Sequence, residues 1–485
     1  PRSSSPTSTS RGRLAAPVSP SEPLSPADIS SLHAEQGSIH VHVGGTAIFD
    51  GKPPGYEELL AHVDQRLNLI PRFRQRVRHV PGQVARPVWE DDPDFDLRRH
   101  VRHSSLPQPG SDQQLQELVG RIMSEPLDLE RPLWQIYLIE GLNGKRFAAI
   151  SKTHHALVDG IAAVDVGAVI LDPDPKGTDL GLPSEPWKPN TARTDEMILS
   201  RMTNTRQRAL GIWREGAKRA LSPAAATVEA GKTARGFLEL ARNSEPVRPT
   251  FLNEEIGRDR RVAFAQTPLE AVKEAGKRGG GTVNDVVLSV STGALRRYFE
   301  HRGERIPSEF VALVPMSIRK LEEEGELGNR LTTLLVPLPL SETDPARRLR
   351  KLNETTTKLK NSEGARAASL IIEAGGWVPP TVNRVLGQMG SALGPMNRVM
   401  PQRLPWNLAI SNVPGPPMPV YLLGRRLNAI YPFVALSPQR RALSIGVISY
   451  DAKLMFGLVG DRDLLPDLDL VSGFIDEALA EQLSR

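Results

Sequence analysis

The stretch Ile150–Val166 reads ISKTHHALVDGIAAVDV, and its adjacent histidines, His154 and His155, decide how the chain is read. Upstream, RFAAISKTHH is mostly apolar, as expected of a strand covered on both faces. Downstream, GIAAVDVGAVIL predicts a helix ending near Leu171. Strand, short loop and helix in succession put the two histidines where α/β proteins often place chemistry. Neighbouring side chains in a strand point to opposite faces, so the two rings are not expected to share one task.

The same alternation of patterns continues on either side. Ser25 is placed to cap a helix opened by Pro26, IHVHVGGTAIF alternates as a strand, and YEELLAHVDQRLNLI has helical spacing up to Pro71. A further helix over DQQLQELVGRIMSEPL precedes the strand LWQIYLIEGL. A second α/β pattern begins near Arg261. RRVAFAQTP predicts a strand, LEAVKEAGKRG a helix, and TVNDVVLSVSTGALRRYFEHRG a longer helix capped by Thr282. Strands follow at FVALVPMSI, LTTLLVPLPL and LAISNVPGP. RRALSIGVISYDAKLMFGLVGD reads as a hairpin turning near Tyr450–Lys453, and LLPDLDLVSGFIDEALAEQL closes the chain as a helix.

At 485 residues the chain exceeds the usual size of one hydrophobic core, so two domains are expected. The divisions predicted are a disordered tail over 1–23, an N-terminal domain over 24–175, a basic and partly helical linker over 176–255, and a C-terminal domain over 256–485. The opening PRSSSPTSTSRGRLAAPVSPSEP has no apolar core of the length a secretory signal needs, and it lacks an initiator Met, which points to a trimmed or altered start. No window is apolar enough to read as a transmembrane helix, because Asp159 and Asp165 interrupt the best candidate. There is no cysteine, which excludes disulfides, thiolate metal sites and a cysteine nucleophile, and which is compatible with a reducing cytoplasm. A net charge of +5 and a pI near 9.4 suit anionic partners such as phosphorylated cofactors or acidic lipid surfaces. The linker residues from about Arg201 to Arg242 form a basic segment that can lie on an anionic membrane or simply be solvated.

On residues alone, three readings of the histidine pair compete. His154, His155 and Asp159 could ligate a metal, although adjacent rings diverge and no further ligand cluster is evident. The pair could be structural trim at a strand end. Or one imidazole could serve as a general base on a hydroxyl or amine, since its reference pKa near 6.5 lets it accept and return a proton. Asp159, beyond a short turn, is not reliably placed against either ring, so a Ser–His–Asp triad is not implied. Gly160 would permit close backbone packing or ligand approach.

HHALVDG matches the HHxxxDG signature of CoA-dependent acyltransferases. With PLDLERPLWQIYLIEGL, NDVVLSVSTGALRRY, VPMSIR, LGNRLTTLLVPLP and SNVPGPPMPVYLLG in that order, the chain resembles the bacterial wax ester synthase/diacylglycerol acyltransferase family from about Leu24 onward. The resemblance implies an α/β fold of two chloramphenicol-acetyltransferase-like domains, with mixed β-sheets flanked by helices and an active-site tunnel at their interface. It implies that His155 is the general base of a direct transfer from acyl-CoA, with His154 supportive and Asp159 mainly structural and paired with an arginine.

Asn284, in the family's ND pair, is expected to orient the site or to cap a helix, and Asp285 to be a first-turn charge facing the helix dipole. Ser411 and Asn412 are expected to offer hydrogen bonds near the tunnel or to pantetheine. Gly160 and Trp134 are expected at the substrate, Trp134 as tunnel wall or core, and Arg319 and Arg330 at CoA phosphates or in ion pairs. Such a transfer needs no metal and no bound cofactor, only acyl-CoA as co-substrate. The implied acceptor is diacylglycerol or a long-chain alcohol, at the cytoplasmic face of the inner membrane or on lipid droplets, with no nucleic-acid partner. A polyketide or carrier-bound acceptor, and a non-catalytic lipid-droplet protein, are the alternatives; the intact histidine motif argues against the second.

Overall fold

The computed structural model describes residues 21–35, 37–80, 86–157, 170–178, 187–191, 195, 247–317, 331–360, 406–436 and 440–484. In the first half the strands are β1 (Ser21–Pro23), β2 (His42–Asp50), β3 (Gln75–Arg78), β4 (Val88–Asp91), β5 (Val101–Ser105), β6 (Trp134–Leu142) and β7 (Arg146–His154). The helices there are α1 (Pro26–Ala34), α2 (Tyr56–Leu67), the single turn α3 (Leu97–His100) and α4 (Asp112–Ser124). The second half holds β8 (Arg260–Pro268), β9 (Val311–Ser317), β10 (Leu331–Pro337), β11 (Leu408–Pro414), β12 (Tyr421–Leu422), β13 (Arg425–Phe433), β14 (Leu443–Tyr450) and β15 (Lys453–Asp461). Its helices are α5 (Leu269–Gly279), α6 (Val283–His301), α7 (Pro345–Lys360) and α8 (Asp469–Leu483).

Two mixed six-stranded sheets form the body, in the orders β12-β13-β2-β7-β6-β5 and β10-β9-β11-β14-β15-β8, and β1, β4 and β3 make a small third sheet. The expected α/β class with mixed sheets and flanking helices is therefore the class observed. Local chemistry explains most boundaries. Ser25 accepts from the backbone N–H of Asp28 and Thr282 from that of Asp285, each closing a capping box at its helix start. The hairpin β14–β15 turns at Asp451 and Ala452, both at positive φ.

The short elements β3, β4, α3, β5 and β12 are not expected from sequence, and three further elements depart from the expectations. Ser21–Pro23, assigned to the tail by composition, pairs antiparallel with β4. Helix α7 went unpredicted because its seam is thin: Leu349 and Leu352 are buried in a segment otherwise dominated by Arg, Lys and Thr. And β13, which lies within the span assigned to the C-terminal domain, pairs with β2 of the first sheet from Leu427↔Phe49 to Phe433↔Gly44. The boundary at 255/256 therefore does not separate the two sheets.

The crossing of β13 depends on a pair of glycines. Gly446 and Gly457 are register partners across β14–β15. The Pro432 carbonyl of β13 packs onto both of them: a Cβ at Gly446 would lie 2.8 Å from that oxygen, and one at Gly457 would collide with it. The bare backbone there lets one sheet lie directly on the other, and Phe264 of β8 stacks on Tyr431 of β13 with centroids 4.2 Å apart. The interface is also pinned by Arg260, whose guanidinium donates to the Ser38 carbonyl at 2.7 Å while its backbone N–H donates to Ser124 Oγ at 2.7 Å. Ser38 Oγ in turn donates to the Ile256 carbonyl at 2.8 Å. These bonds anchor the α1–β2 connection, which carries Glu35, to the second half of the chain.

Candidate active site

The strand β7 lies between β2 and β6 and ends at His154, which is in register with His42. Both neighbours hold the chain at this point: the His154 N–H donates to the Leu133 carbonyl and the His155 N–H to the Val41 carbonyl, each at 2.9 Å. The strand then breaks into a turn closed by the Leu157 N–H on the His154 carbonyl at 2.9 Å. The His154 ring is fully buried, with 0% exposure, whereas His155 is exposed. One ring thus faces the interior, and the other stands outside it on a backbone clamped by two strands.

Beneath the turn lies a buried cluster that the motif does not contain. His40 and His42 alternate along the segment entering β2 and so share a face, their rings stacked at 5.3 Å. Glu35, just past the end of α1, places Oε1 3.6 Å from both His40 Nδ1 and His42 Nε2 and Oε2 2.7 Å from His154 Nε2. The last contact has hydrogen-bond length but off-line geometry, so its strength is chiefly electrostatic. His154 Nδ1 accepts from the Ala156 backbone N–H at 3.0 Å. Lys152, two residues back on the same face as His154, is also fully buried. Its ammonium donates to the Ile122 carbonyl at 2.7 Å and to the Glu125 carbonyl.

Burial and charge set the protonation states here. Burial works to raise the Glu35 carboxyl, but its contacts with His154 and His40 and the neighbouring imidazoles outweigh it and bring the pKa down to about 2. Burial, followed by the Lys152 charge, pushes His42 well below its ordinary value. Lys152 itself is lowered by burial to about 8, against the pull of Glu125 and Glu35.

Glu35, His40 and His42 bring three ligand atoms within 4.8 Å of one another, the one such group among the described residues. Two features disfavour a cation there. Metal-bound histidines normally donate their outer nitrogen to an acceptor, yet His40 Nε2 and His42 Nδ1 have no hydrogen-bond partner among the described residues. The Lys152 charge also already acts on His42.

The second half contributes a cleft of about 410 Å³ lined in part by Lys273, Thr282, Asn284, Lys360, Asn412 and Ser449. Asn284, at the start of α6, accepts from Asn412 Nδ2 of β11 at 3.5 Å, while its own amide nitrogen is buried without a partner among the described residues. Asp285 turns the other way. It accepts from the Thr282 N–H and hydroxyl at 2.8 and 2.7 Å, from Asn353 at 3.0 Å and from Thr356 at 2.7 Å. Burial works to raise its pKa, and these donors outweigh it and hold the carboxyl low. Asp285 therefore ties α6 to α7.

The structure brings Asn284 and Asn412 together on one cleft; Ser411 precedes Asn412 on β11, partly buried and opposite Gly446. His155 is not among the described residues that line this cleft. Trp134 is 1% exposed, donates its indole N–H to the Phe73 carbonyl at 2.7 Å and stacks on His100, which seats it in the core. Asp159, Gly160, Arg319 and Arg330 lie outside the described residues, as does the basic segment 201–242. Glu35, His40 and His42 were missed from sequence. Their legible signal is the HVH alternation of 40–42, which puts two histidines on one strand face.

The model of the wax ester synthase/diacylglycerol acyltransferase catalytic domain matches residues 24–287, and that of the WS/DGAT C-terminal domain matches residues 327–482. The chain is 34% identical over 463 residues to the probable diacylglycerol O-acyltransferase tgs1 of Mycobacterium tuberculosis, covering 94% of this chain and 95% of that protein. It is 31% identical over 468 residues to the probable diacylglycerol O-acyltransferase tgs2 of the same species, covering 94% and 98%. Among solved structures, the wax ester synthase/diacylglycerol acyltransferase of Marinobacter aquaeolei VT8 superposes with a TM-score of 0.65 at 26% identity, covering 95% of this chain and 98% of that one. The first condensation domain of the calcium-dependent antibiotic synthetase, at 16% identity and a TM-score of 0.55 over 95% of this chain and 96% of that one, shares the fold. The chain belongs to the wax ester synthase/diacylglycerol acyltransferase family.

Proposed function

We propose that His155 is the general base of an acyl transfer from long-chain acyl-CoA to a hydroxyl lipid. The chain is an acyl-CoA-dependent diacylglycerol O-acyltransferase, with acyl-CoA as co-substrate. The observation that carries the assignment of the base is the split at the end of β7: His154 is buried and engaged with Glu35, whereas His155 is exposed on a turn clamped by hydrogen bonds.

In this mechanism a ring nitrogen of His155 takes the proton of the acceptor hydroxyl as that oxygen attacks the thioester carbonyl carbon. The carbonyl π bond opens to an oxyanion and re-forms as the C–S bond breaks. The imidazolium then returns its proton to the departing CoA sulfur, leaving an ester and free CoA. The oxyanion needs a donor in a water-poor site. The amide nitrogen of Asn284, buried and without a partner among the described residues, supports a role for that residue as donor or orienting group from the second half of the chain. Asn412 holds the opposite end of the same amide, with Ser411 beside it. His154 supports the turn, and Trp134 backs the strand from within the core.

Diacylglycerol is the main acceptor, and long-chain alcohols enter the same site to give wax esters. Both are membrane-borne, so the enzyme works as a peripheral protein at the cytoplasmic face of the membrane or on lipid droplets. No helix among the described residues is long and apolar enough to cross a membrane. The test is to incubate purified protein with radiolabelled palmitoyl-CoA and either diacylglycerol or hexadecanol. Labelled triacylglycerol as the dominant product, with a lesser yield of wax ester, is the expected result; label found only on another class of acceptor refutes the acceptor assignment.

A further inference from the structure

We infer that Glu35 is a positioning residue for the His155 turn and acts through the tautomer of the His154 ring. The inference rests on the reading of His155 as the base, and adds a residue outside the HHxxxDG motif.

The Ala156 backbone N–H points at His154 Nδ1 from 3.0 Å, so that nitrogen is a bare acceptor. At the opposite corner of the ring, Nε2 lies 2.7 Å from Glu35 Oε2. Two lone pairs at that separation repel, so Nε2 carries the proton. The carboxylate thereby selects the one neutral tautomer that leaves Nδ1 free to accept from the turn. The opposite tautomer would set an N–H against the Ala156 N–H and open the turn over residues 154–157. His155 lies inside that turn, between the ring that is fixed and the amide that it fixes. Because this cluster is buried, the wrong tautomer has no water to fall back on.

Glu35 is suited to the task. Its second oxygen faces His40 and His42 at 3.6 Å, and its loop is anchored through Ser38 to Ile256 and Arg260. A carboxylate that orients an imidazole by its far nitrogen is a recurrent device in catalytic sites. Here it is applied to the neighbour of the base, and it reaches the base through the backbone.

The test uses the full chain and three substitutions. Glu35→Ala removes the acceptor and is expected to lower kcat roughly ten- to hundredfold with KM for acyl-CoA and diacylglycerol unchanged, the penalty of a displaced catalytic group. Glu35→Gln keeps an oxygen opposite the Nε2 proton but loses the charge, and because the contact is chiefly electrostatic it is expected to restore only part of that loss. His154→Asn supplies an oxygen for the Ala156 N–H with no tautomer to select. In that background Glu35→Ala is expected to change kcat by less than about twofold, since residues acting through one path are not additive. On the wild-type protein, 15N-histidine NMR reads the ring directly, with the His154 signals identified by their loss in His154→Asn; Nε2 protonated and Nδ1 bare is the expected pattern.

A protonated Nδ1, an unchanged kcat in Glu35→Ala, or an equal loss in the His154→Asn background overturns the inference. So does one zinc per chain that is lost in Glu35→Ala, which would make the cluster a metal centre. If His155→Ala retains activity, the reading of the base fails, yet the NMR pattern still decides the tautomer, so the two failures are distinguishable.

Discussion

Asn412 and Asn284 meet amide to amide at 3.5 Å, joining β11 to the first turn of α6 and leaving the Asn284 amide nitrogen buried with no partner among the described residues. A buried N–H without an acceptor is costly, and sites where such groups persist are often sites where a ligand completes them. If the pair acts as a unit on the reacting group, Asn284→Ala and Asn412→Ala each lower kcat by roughly tenfold, and the double variant loses little more than either. A coupling of about 1 kcal/mol in the steady-state cycle is the expected size, and strict additivity would separate the two residues.

Asp285 stands next in sequence but does a different job. It accepts four hydrogen bonds, from Thr282, Asn353 and Thr356, and is closed to solvent. Asp285→Ala strands those donors and removes the reciprocal half of the α6 capping box, costing about 3 kcal/mol in unfolding free energy by denaturant titration. Fully folded variant protein is expected to keep the wild-type KM for acyl-CoA. A large KM change in stable protein would place Asp285 at the substrate instead.

Buried His42 makes the fold acid-sensitive. His42 is held below its ordinary value of 6.5 by burial and by Lys152, while Glu35 pulls it upward and His40 and His154 push it further down. Its folded pKa is lower than its unfolded one, so the unfolded chain binds the extra proton, and stability is lost as pH falls below about 6.5. Thermal or urea unfolding against pH reads this slope. His42→Gln is expected to reduce it by about one proton's worth, about 1.4 kcal/mol per pH unit. An unchanged slope would show that other groups, such as the similarly lowered His62 and His100, carry the effect.

Gly457 tests how the two sheets meet. A methyl group there runs into the Pro432 carbonyl, which is backbone and cannot swing aside. Gly457→Ala is expected to cost about 3 kcal/mol, the upper range for overpacking a core. Since β13 must shift to relieve the clash, the backbone amides that pair β13 with β2 become less protected in hydrogen exchange. A silent substitution would mean that the crossing is loosely packed.

Much of this architecture is legible in the residues. The caps at Ser25 and Thr282, the hairpin at Asp451–Ala452 and the strand ending in His154 all follow from local chemistry. What escapes is long-range. RRLNAIYPF is not among the strands expected from sequence, and nothing in it says that its partner is β2, nearly four hundred residues earlier. Helix α7 escapes for a local reason, because two leucines and a threonine make too thin a seam to announce it. In the site, HHALVDG directs attention to His154 and His155, and adjacency in a strand separates their faces. Glu35 is invisible at that level, because only the return of the α1–β2 connection onto the end of β7 sets its carboxylate against His154.

The central claim is that the exposed ring of His155 moves the proton. Its most direct test is a single-turnover assay of His155→Ala with labelled palmitoyl-CoA and diacylglycerol, with folding verified by circular dichroism. The chemical step is expected to slow by about a hundred- to ten-thousandfold, with acyl-CoA affinity retained. A folded variant that transfers the acyl group at the wild-type rate would contradict it.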